Sequence, residues 1–331
     1  MKKKIALVTG GYSGEAEISY LSAKTMQENV DTELFDVYKI DISPNGWVYE
    51  SESGMKSAVD RSDFSIIDSG EKINFDAVMM CIHGTPGEDG KLQGYFDMLH
   101  LPYTSCDAAT SSLTFNKRYT VAVAAFSGIK VARSVHLFSY APMTPEAILQ
   151  QVSLPVFVKP NNGGSSIGMS KVSMVEDLQA ALDKAFKEDS QVLVEEFIAG
   201  REITIGVYKD GDEIVPLPMT EIIADASKEF FDFEAKYKGK STEITPAEVS
   251  EEMANKINEA AKKIYSVFNC RGVIRIDFIY NEKDNAPYML EINTVPGQSA
   301  ASIVPQQVGV KGMTLKAFYT IILNGALEQK R

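Results

Sequence analysis

The chain is short of cysteine, of positive charge and of long apolar runs, and each shortage excludes something. Among 331 residues there are three cysteines, Cys81, Cys106 and Cys270. They are odd in number, far apart and never in a CxxC pair. Neither a disulfide framework nor a zinc site is expected, and a reducing, cytoplasmic setting is. No apolar run approaches about 20 residues, so no membrane-spanning helix is expected. The apolar stretch at 5–8 follows Lys2, Lys3 and Lys4 but is too short for a signal peptide, and reads as a first strand. A formal net charge of -12 lacks the basic footprint of a nucleic-acid binder. It leaves room for a small anionic ligand, because a local pocket can be basic in an acidic protein. Two phosphate-binding fingerprints are also missing. There is no GxGxxG after the first strand, and no Gly-Lys-Ser/Thr of a Walker loop. Repeats and low-complexity tracts are absent.

What is present is an ordinary globular composition, in a length that suggests two or three domains. A buried strand at 4–9, the turn Gly10-Gly-Tyr-Ser-Gly14 and a helix at about 15–29 open an α/β sheet. Strands at 34–40 and 75–82, an excursion hairpin at 46–51 and a helix at 92–99 follow. Leu101-Pro-Tyr103 leads to the last strand of this first domain, which ends near Cys106. Glu15 and Glu17 fall in a first helical turn, where balancing the helix dipole is the plainer role. An anchor for a substrate cation is the sharper one. His83-Gly-Thr-Pro-Gly-Glu-Asp-Gly90 is a glycine-rich loop after a buried strand, which makes it a candidate site loop. A lone histidine such as His83 is more often structural.

A helix is expected at 111–127, with Lys117 as an ordinary solvated lysine. Thr144-Pro-Glu starts another helix. A strand at 155–159 ends in Lys159, and Asn161-Asn-Gly-Gly-Ser-Ser-Ile-Gly168 precedes a strand at 169–172. Gly163, Gly164, Ser165 and Ser166 offer small, flexible backbone that can lay N–H groups on phosphates. The pattern reads as strand, glycine flap, strand. A helix at 175–188 and strands at 191–198 and 201–208 come next. Residues 221–244 show no period. A stretch that long reads as a lid, and its aromatics oppose disorder. Helices at 246–269 and 313–329 close the chain, with a helical or irregular segment at 299–307.

The most informative stretch is Arg275-Ile-Asp-Phe-Ile-Tyr280, a polar link, and Tyr288-Met-Leu-Glu-Ile-Asn293. Both runs alternate with period two and read as a hairpin. If Tyr280 pairs with Tyr288, then Asp277 faces Glu291 and Arg275 faces Asn293. Ile276, Phe278, Leu290 and Ile292 then turn to the core face. Two carboxylates and an amide oxygen without Cys or His suit a hard cation such as Mg²⁺, completed by phosphate oxygens. The arginine beside them suggests developing negative charge. A surface hairpin with cross-strand charge pairs is the bland reading.

Lys159 with Gly163-Gly-Ser-Ser166, Glu195-Glu-Phe-Ile198 and Asp277…Glu291-x-Asn293 resemble the ATP-grasp superfamily. Gly10-Gly-Tyr-Ser-Gly-Glu15-Ala-Glu-Ile-Ser19, His83-Gly-x-x-Gly-Glu-Asp-Gly90, Glu234-Ala-Lys-Tyr237, Arg275-Ile-Asp277 and Glu291-Ile-Asn-Thr-Val-Pro-Gly297 resemble D-alanine–D-alanine ligases, in order along essentially the whole chain. The resemblance implies an α/β domain at 1–106, bearing the first D-alanine site. It also implies two α+β domains at 107–199 and 200–331, with ATP between their antiparallel sheets and a lid at 221–245. The implied reaction makes D-alanyl-D-alanine through an acyl phosphate, for peptidoglycan synthesis. Asp277, Glu291 and Asn293 would hold two Mg²⁺ ions, with Mn²⁺ as a substitute. Lys117, Lys159 and Lys236 would grip phosphates beside Gly164, Ser165 and Ser166. Glu195, Glu196, Phe197 and Ile198 would hold adenine, and Glu202 the ribose. Arg275 and Gly297 would stabilise the oxyanion. Glu15 would take the first ammonium, Ser302, next to Ile303, the second carboxylate, and His83 would help position substrates. Ser165 and Tyr237 would join Glu15 in closing the lid. The family also implies a homodimer.

Two departures stand out. Asn161-Asn-Gly163 replaces the charged residues many relatives carry there. Ala300-Ala301 stands where Ser or Thr followed by His or Thr is common. Other readings kept open are a different ATP-grasp ligase, a D-alanine–D-lactate ligase, which Tyr237 opposes, and a catalytically silent nucleotide binder.

Overall fold

Strand pairing in the computed structural model, which describes residues 1–51, 53–164, 166–224 and 241–329, builds three main sheets. The first has the order β4-β3-β2-β1-β7. Its centre is β1 (Lys3–Gly10), parallel to both β2 (Phe35–Ser43) and β7 (Ala77–Met80). The excursion hairpin is real: β3 (Gly46–Glu50) returns on β2, and β4 (Lys56–Ala58) adds to it. A separate ribbon pairs β5 (Ile66–Asp68) with β6 (Glu71–Ile73). The last strand expected after Leu101 is reduced to one parallel bridge, Val78 to Tyr103. Helices α1 (Ala16–Asn29) and α2 (Lys91–Met98) complete this unit.

The expected single helix at 111–127 is two, α3 (Ala108–Phe115) and α4 (Lys117–Phe126). Asn116 is extended and caps α4 by accepting from the Tyr119 N–H, so it ends one helix and starts the next. The second sheet has the order β10-β9-β11-β8, from β8 (Ser134–Phe138), β9 (Val156–Pro160), β10 (Ser170–Val172) and β11 (Gln191–Glu196), all antiparallel. Helices α5 (Pro145–Leu149) and α6 (Leu178–Ala185) flank it.

The third sheet has β12 (Arg201–Asp210) at its centre, with β16 (Val273–Asn281) and β17 (Ala286–Asn293) on one side. On the other lie β13 (Glu213–Pro216), β14 (Thr220–Ala224) and β15 (Ser241–Ile244). The stretch read as lacking structure at 221–244 therefore begins and ends as paired strands, with β14 and β15 antiparallel. Residues 225–240 between them, and with them Lys236 and Tyr237, lie outside the described residues.

Helix α7 (Glu251–Val267) starts after Ser250, not at Pro246, because the Ser250 hydroxyl caps the Met253 N–H and two glutamates fill the first turn. Its Ile257, Ala261 and Ile264 pack with Ile203, Ile205, Ile276 and Phe278 on the back of the third sheet. α8 (Ile303–Val310) and α9 (Leu315–Leu327) finish the chain. Phe318, Tyr319, Ile322 and Leu323 of α9 share one core with Ile5, Leu7 and Met79 of the first sheet and Tyr208 of the third. The closing helix thus binds the two sheets together and sets their spacing over the site.

Candidate active site

The hairpin β16–β17 supplies the charged row. Arg275 pairs with Asn293 and Asp277 with Glu291, as the alternation predicts. The assumed pairing of Tyr280 with Tyr288 is corrected: Tyr280 pairs with Pro287 and Ile279 with Tyr288. The register shifts between Asp277 and Phe278. The bulge changes the neighbours too. Met289, not Leu290, enters the core with Phe278 and Ile292, while Leu290 lines a cavity. Bulges re-aim side chains in this way beside functional sites.

Arg275 binds Asp277 through two parallel bonds of 2.9 Å, Nε to Oδ1 and Nη2 to Oδ2. The Asn293 amide donates to Asp277 Oδ2 at 3.2 Å, and the Thr204 hydroxyl of β12 to Oδ1. Asp277 is buried, and such charge-assisted, bidentate bonding is what makes a buried carboxylate tolerable. Thr204 was not singled out from the sequence. It lies opposite Asp277 on β12. Among the described residues no group of three or more His, Cys, Asp or Glu side chains could hold a metal. The set here is two carboxylates and an amide, all oxygen donors, and it fits a hard divalent cation that keeps other ligands from phosphate and water.

Two cavities meet at this row. One of about 460 Å³ lies between the second and third sheets, lined by Phe157, Lys159, Ile167, Met169, Glu195, Phe197, Ile198, Ile279 and Leu290. Lys159 of β9 and Glu195 of β11, diagonal to each other in the ladder, form an ion pair at the cavity wall. The N–H groups of Glu196 and Phe197 go to Arg133 O and Pro155 O, at 2.9 and 3.0 Å. The Glu196 carboxylate pairs with Arg133. The expected use of this strand end as a hydrogen-bonding edge is thereby confined to its carbonyls and to Ile198. The other cavity, about 330 Å³, runs from Glu15, His83 and Glu88 past Arg275 to Gly297, Ser302 and Ile303. Lys117, Gly163, Gly164, Glu202, Asp277 and Glu291 line both. Lys117, read as an ordinary lysine, reaches the glycine flap and donates to Gly163 O at 2.7 Å. Ser166 has φ +57, and Ser165 lies outside the described residues.

Glu15 sits just before α1, and its carboxylate lies between Gly84 and Gly164. A Cβ on Gly84, whose φ is +67, would come within 2.6 Å of Glu15 Oε2, and one on Gly164 within 3.0 Å of Oε1. Glu15 is therefore at the junction of the first sheet's loops and the flap. Gly297 abuts Ser302 closely enough that a Cβ would fall 2.8 Å from its hydroxyl. Ser302 precedes α8, accepting from the Ser299 N–H at 3.1 Å and sharing a bond with the Ser299 hydroxyl at 2.7 Å.

The loop at 83–90 grips the other loop across the cavity. His83 Nδ1 is 2.8 Å from Val295 O, and its Nε2 is 3.1 Å from the Ser22 hydroxyl. Glu88 accepts from the Val295 N–H at 3.2 Å and from the Gly84 N–H at 2.7 Å. Both backbone polar groups of Val295, its N–H and its C=O, are held, two residues before Gly297. Burial drives the His83 pKa down to about 4, against a pull upward from the Val295 bond. Burial, with the Glu15 charge adding to it, drives Glu88 up to about 8. Nothing in the sequence marks Glu88 beyond its place in the 83–90 loop.

The sequence model described as "D-ala D-ala ligase N-terminus" matches residues 4–106, and "D-ala D-ala ligase C-terminus" matches 116–324. The chain is 44% identical over 318 residues to the D-alanine–D-alanine ligase of Flavobacterium johnsoniae, covering 96% of this chain and 97% of that protein. It is 43% identical over 332 residues to that of Parabacteroides distasonis, covering 100% and 99%. Its fold matches the crystal structure of VanG D-Ala:D-Ser ligase from Enterococcus faecalis, with TM-score 0.86, 31% identity and 98% and 99% of the two chains covered. It also matches a D-alanine–D-alanine ligase from Bacillus anthracis complexed with ATP, with TM-score 0.78, 26% identity and 98% and 97% covered.

Proposed function

This chain belongs to the D-alanine–D-alanine ligase family, and we propose that it joins two D-alanines at the expense of ATP through an acyl phosphate. The observation that carries the reading is the row Arg275, Asp277, Glu291 and Asn293, placed where the two cavities meet. A nucleotide in the larger cavity directs its phosphates at that row, and an amino acid in the smaller one meets them there. Glu195 and Ile198 hold the adenine edge, Glu202 the ribose, and Lys117 and Lys159 the phosphates, helped by the backbone of Gly164 and Ser166. Asp277, Glu291 and Asn293 would hold Mg²⁺, which supplies charge neutralisation on the transferring phosphoryl group.

Glu15 takes the ammonium of the first D-alanine, with its carboxylate turned toward the γ-phosphate. Carboxylate oxygen attacks phosphorus and ADP leaves. The amine of a second D-alanine, its carboxylate at Ser302, then attacks the acyl carbon. Arg275 and the Gly297 N–H face the oxyanion, and phosphate departs. Closing the flap over the cavity keeps water from the acyl phosphate. Ser165, Lys236 and Tyr237 belong to this reading through the resemblance alone.

We further propose a three-part division near residues 106 and 199, a homodimer, and a role in peptidoglycan precursor synthesis. No helix among the described residues is long and apolar enough to cross a membrane. The test is phosphate release from ATP with D-alanine, L-alanine, D-serine and D-lactate side by side. Release with D-alanine together with dipeptide product supports the reading. Release independent of any amino acid overturns it. Preferred coupling to D-serine would move the chain toward the specificity named for the Enterococcus faecalis protein.

A further inference from the structure

At the Ser302 end of the smaller cavity stands an acid that the proposed reaction leaves without a task. Glu243 on β15 lies opposite Ile222 of β14, and Ile222 lies opposite Glu202 of β12. Residues directly opposite in antiparallel strands share a face, and all three line the cavity. From α8, Gln306 divides its amide nitrogen between Glu243 Oε2, at 3.4 Å, and Ala301 O, at 2.9 Å. Glu243 is thus tied to the 299–302 loop that would receive the second amino acid. Among the described residues the charged groups facing it are Arg275 from β16 and Glu202 from β12, while α8 brings the neutral Gln306. Burial raises its proton affinity, and Gln306 and Arg275 offset only part of the rise.

Arg275, proposed to face the oxyanion, also acts on Glu243. The acid thus stands toward the reacting end as well as the Ser302 loop, where a carboxylate would attract the ammonium of the second amino acid. An ammonium has no lone pair, so the second D-alanine must shed a proton before it can attack. Among the described residues, four other titratable side chains of the cavity are less well placed for that proton. Both His83 nitrogens are already bonded, to Val295 O and Ser22. Glu15 and Glu88 stand at the opposite end, against Gly84. Asp277 is held by Arg275, Thr204 and Asn293.

We propose that Glu243 accepts the proton released by the ammonium of the second D-alanine. The inference rests on the ligase reading and deepens it. The ammonium gives one proton to the Glu243 carboxylate, and the freed nitrogen lone pair forms the C–N bond to the acyl carbon. The carbonyl π electrons move to oxygen. When they return, the C–O bond to phosphate breaks and phosphate leaves with that electron pair. The second nitrogen proton goes to the departing phosphate.

The test is Glu243→Gln, read with two nucleophiles. Hydroxylamine is mostly unprotonated at neutral pH, so it traps the acyl phosphate as a hydroxamate without needing a base. D-Alanine does need one. Dipeptide formation is expected to fall by about 100-fold or more, the usual scale for a lost general base. The ratio of hydroxamate to dipeptide is expected to rise by a similar factor, while the KM for ATP stays put. Equal loss of both products would assign Glu243 a structural role and overturn the proposal, and so would undiminished dipeptide formation. If the Gln variant melts early, Glu243→Asp carries the test. It keeps the carboxylate one methylene back and should retain the acid limb of the dipeptide pH profile at a reduced rate. Wild-type rate with an unmoved limb would overturn the proposal. Failure of wild-type protein to form any D-alanine-dependent hydroxamate would sink the ligase reading instead.

Discussion

His83 and Glu88 clamp the backbone of the same residue, Val295, yet they should tilt stability in opposite directions as pH changes. His83 has its pKa lowered from 6.5 to about 4. Its neutral form is favoured in the fold, so its contribution is complete above 6.5 and is lost as pH falls toward 4. At about 1.4 kcal/mol per pH unit, that interval is worth about 3 kcal/mol. Glu88 is raised from 4.5 to about 8. Its protonated form is favoured, so its contribution is complete below 4.5 and is lost as pH rises through 8, a loss of about 5 kcal/mol on the same scale. Between 4.5 and 6.5 the two oppose each other, and above 6.5 Glu88 acts alone. The perturbations are His83→Gln and Glu88→Gln, neither of which titrates. The assay is urea unfolding at half-unit steps from pH 4 to 8.5, accepted where m is unchanged. The stability of wild type relative to His83→Gln should climb from pH 4 to 6.5 and then level off. Relative to Glu88→Gln it should fall from 4.5 to 8. A flat difference for His83→Gln, or a rising one for Glu88→Gln, would refute the burial argument for that residue.

Three further outcomes are expected. Glu291→Gln should abolish turnover and cost no more than about 1 kcal/mol of unfolding free energy, the usual scale of a single substitution; near-normal turnover in ATP-driven phosphate release would refute the metal role. Gly84→Ala places a Cβ on Glu15 Oε2 and on the Ser13 hydroxyl at positive φ, so it should cost about 1–2 kcal/mol of stability and raise the KM for the first D-alanine, both visible in paired melting and kinetic measurements. Gln307→Leu removes a buried amide that serves Gly206 N, Thr204 O and the Thr220 hydroxyl. The Thr220 hydroxyl keeps its bond to Thr245, but taking this partner from the Gly206 N–H should cost about 1–3 kcal/mol by denaturant titration, with the third sheet's loosening seen as faster amide exchange in β12 and β14.

Most of the strands were legible, because period-two alternation and turn residues mark them locally. Glu15 and Lys117 show where legibility ends. A glutamate in a first helical turn and a lysine on a helix look the same whether or not anything lies opposite. Only the fold brings Gly84 and Gly164 against Glu15 and the flap carbonyl of Gly163 to Lys117. Glu243 lay in a stretch without a period, and its place opposite Ile222 depends on pairing two short strands separated by sixteen residues outside the described set. Gln307 gives no sequence signal at all, because its partners, two backbone groups of β12 and the Thr220 hydroxyl of β14, are far from it along the chain. The split at Asn116 was readable in principle, since asparagine is a strong cap, but nothing local distinguishes a cap from a mid-helix asparagine.

The hairpin carries the sharpest lesson about register. The charged row came out as expected, although the assumed pairing at the far end was off by one residue. A slip of one residue would normally turn every side chain to the other face. Here the extra residue at the bulge absorbs the slip between Phe278 and Asp277. Both halves therefore keep their proper faces: Phe278 and Met289 in the core, Asp277 and Glu291 at the cavities. Two side chains exchange surroundings: Met289 enters the core, and Leu290 leaves it for the wall of the larger cavity, with Ile279 and Phe197. An apolar wall suits a flat base, while the acids beside it suit a charged tail. The bulge is thus the local device by which one hairpin offers an apolar wall to the larger cavity and an acidic row to both, and straightening it would cost the cavity its apolar wall or the row its acids.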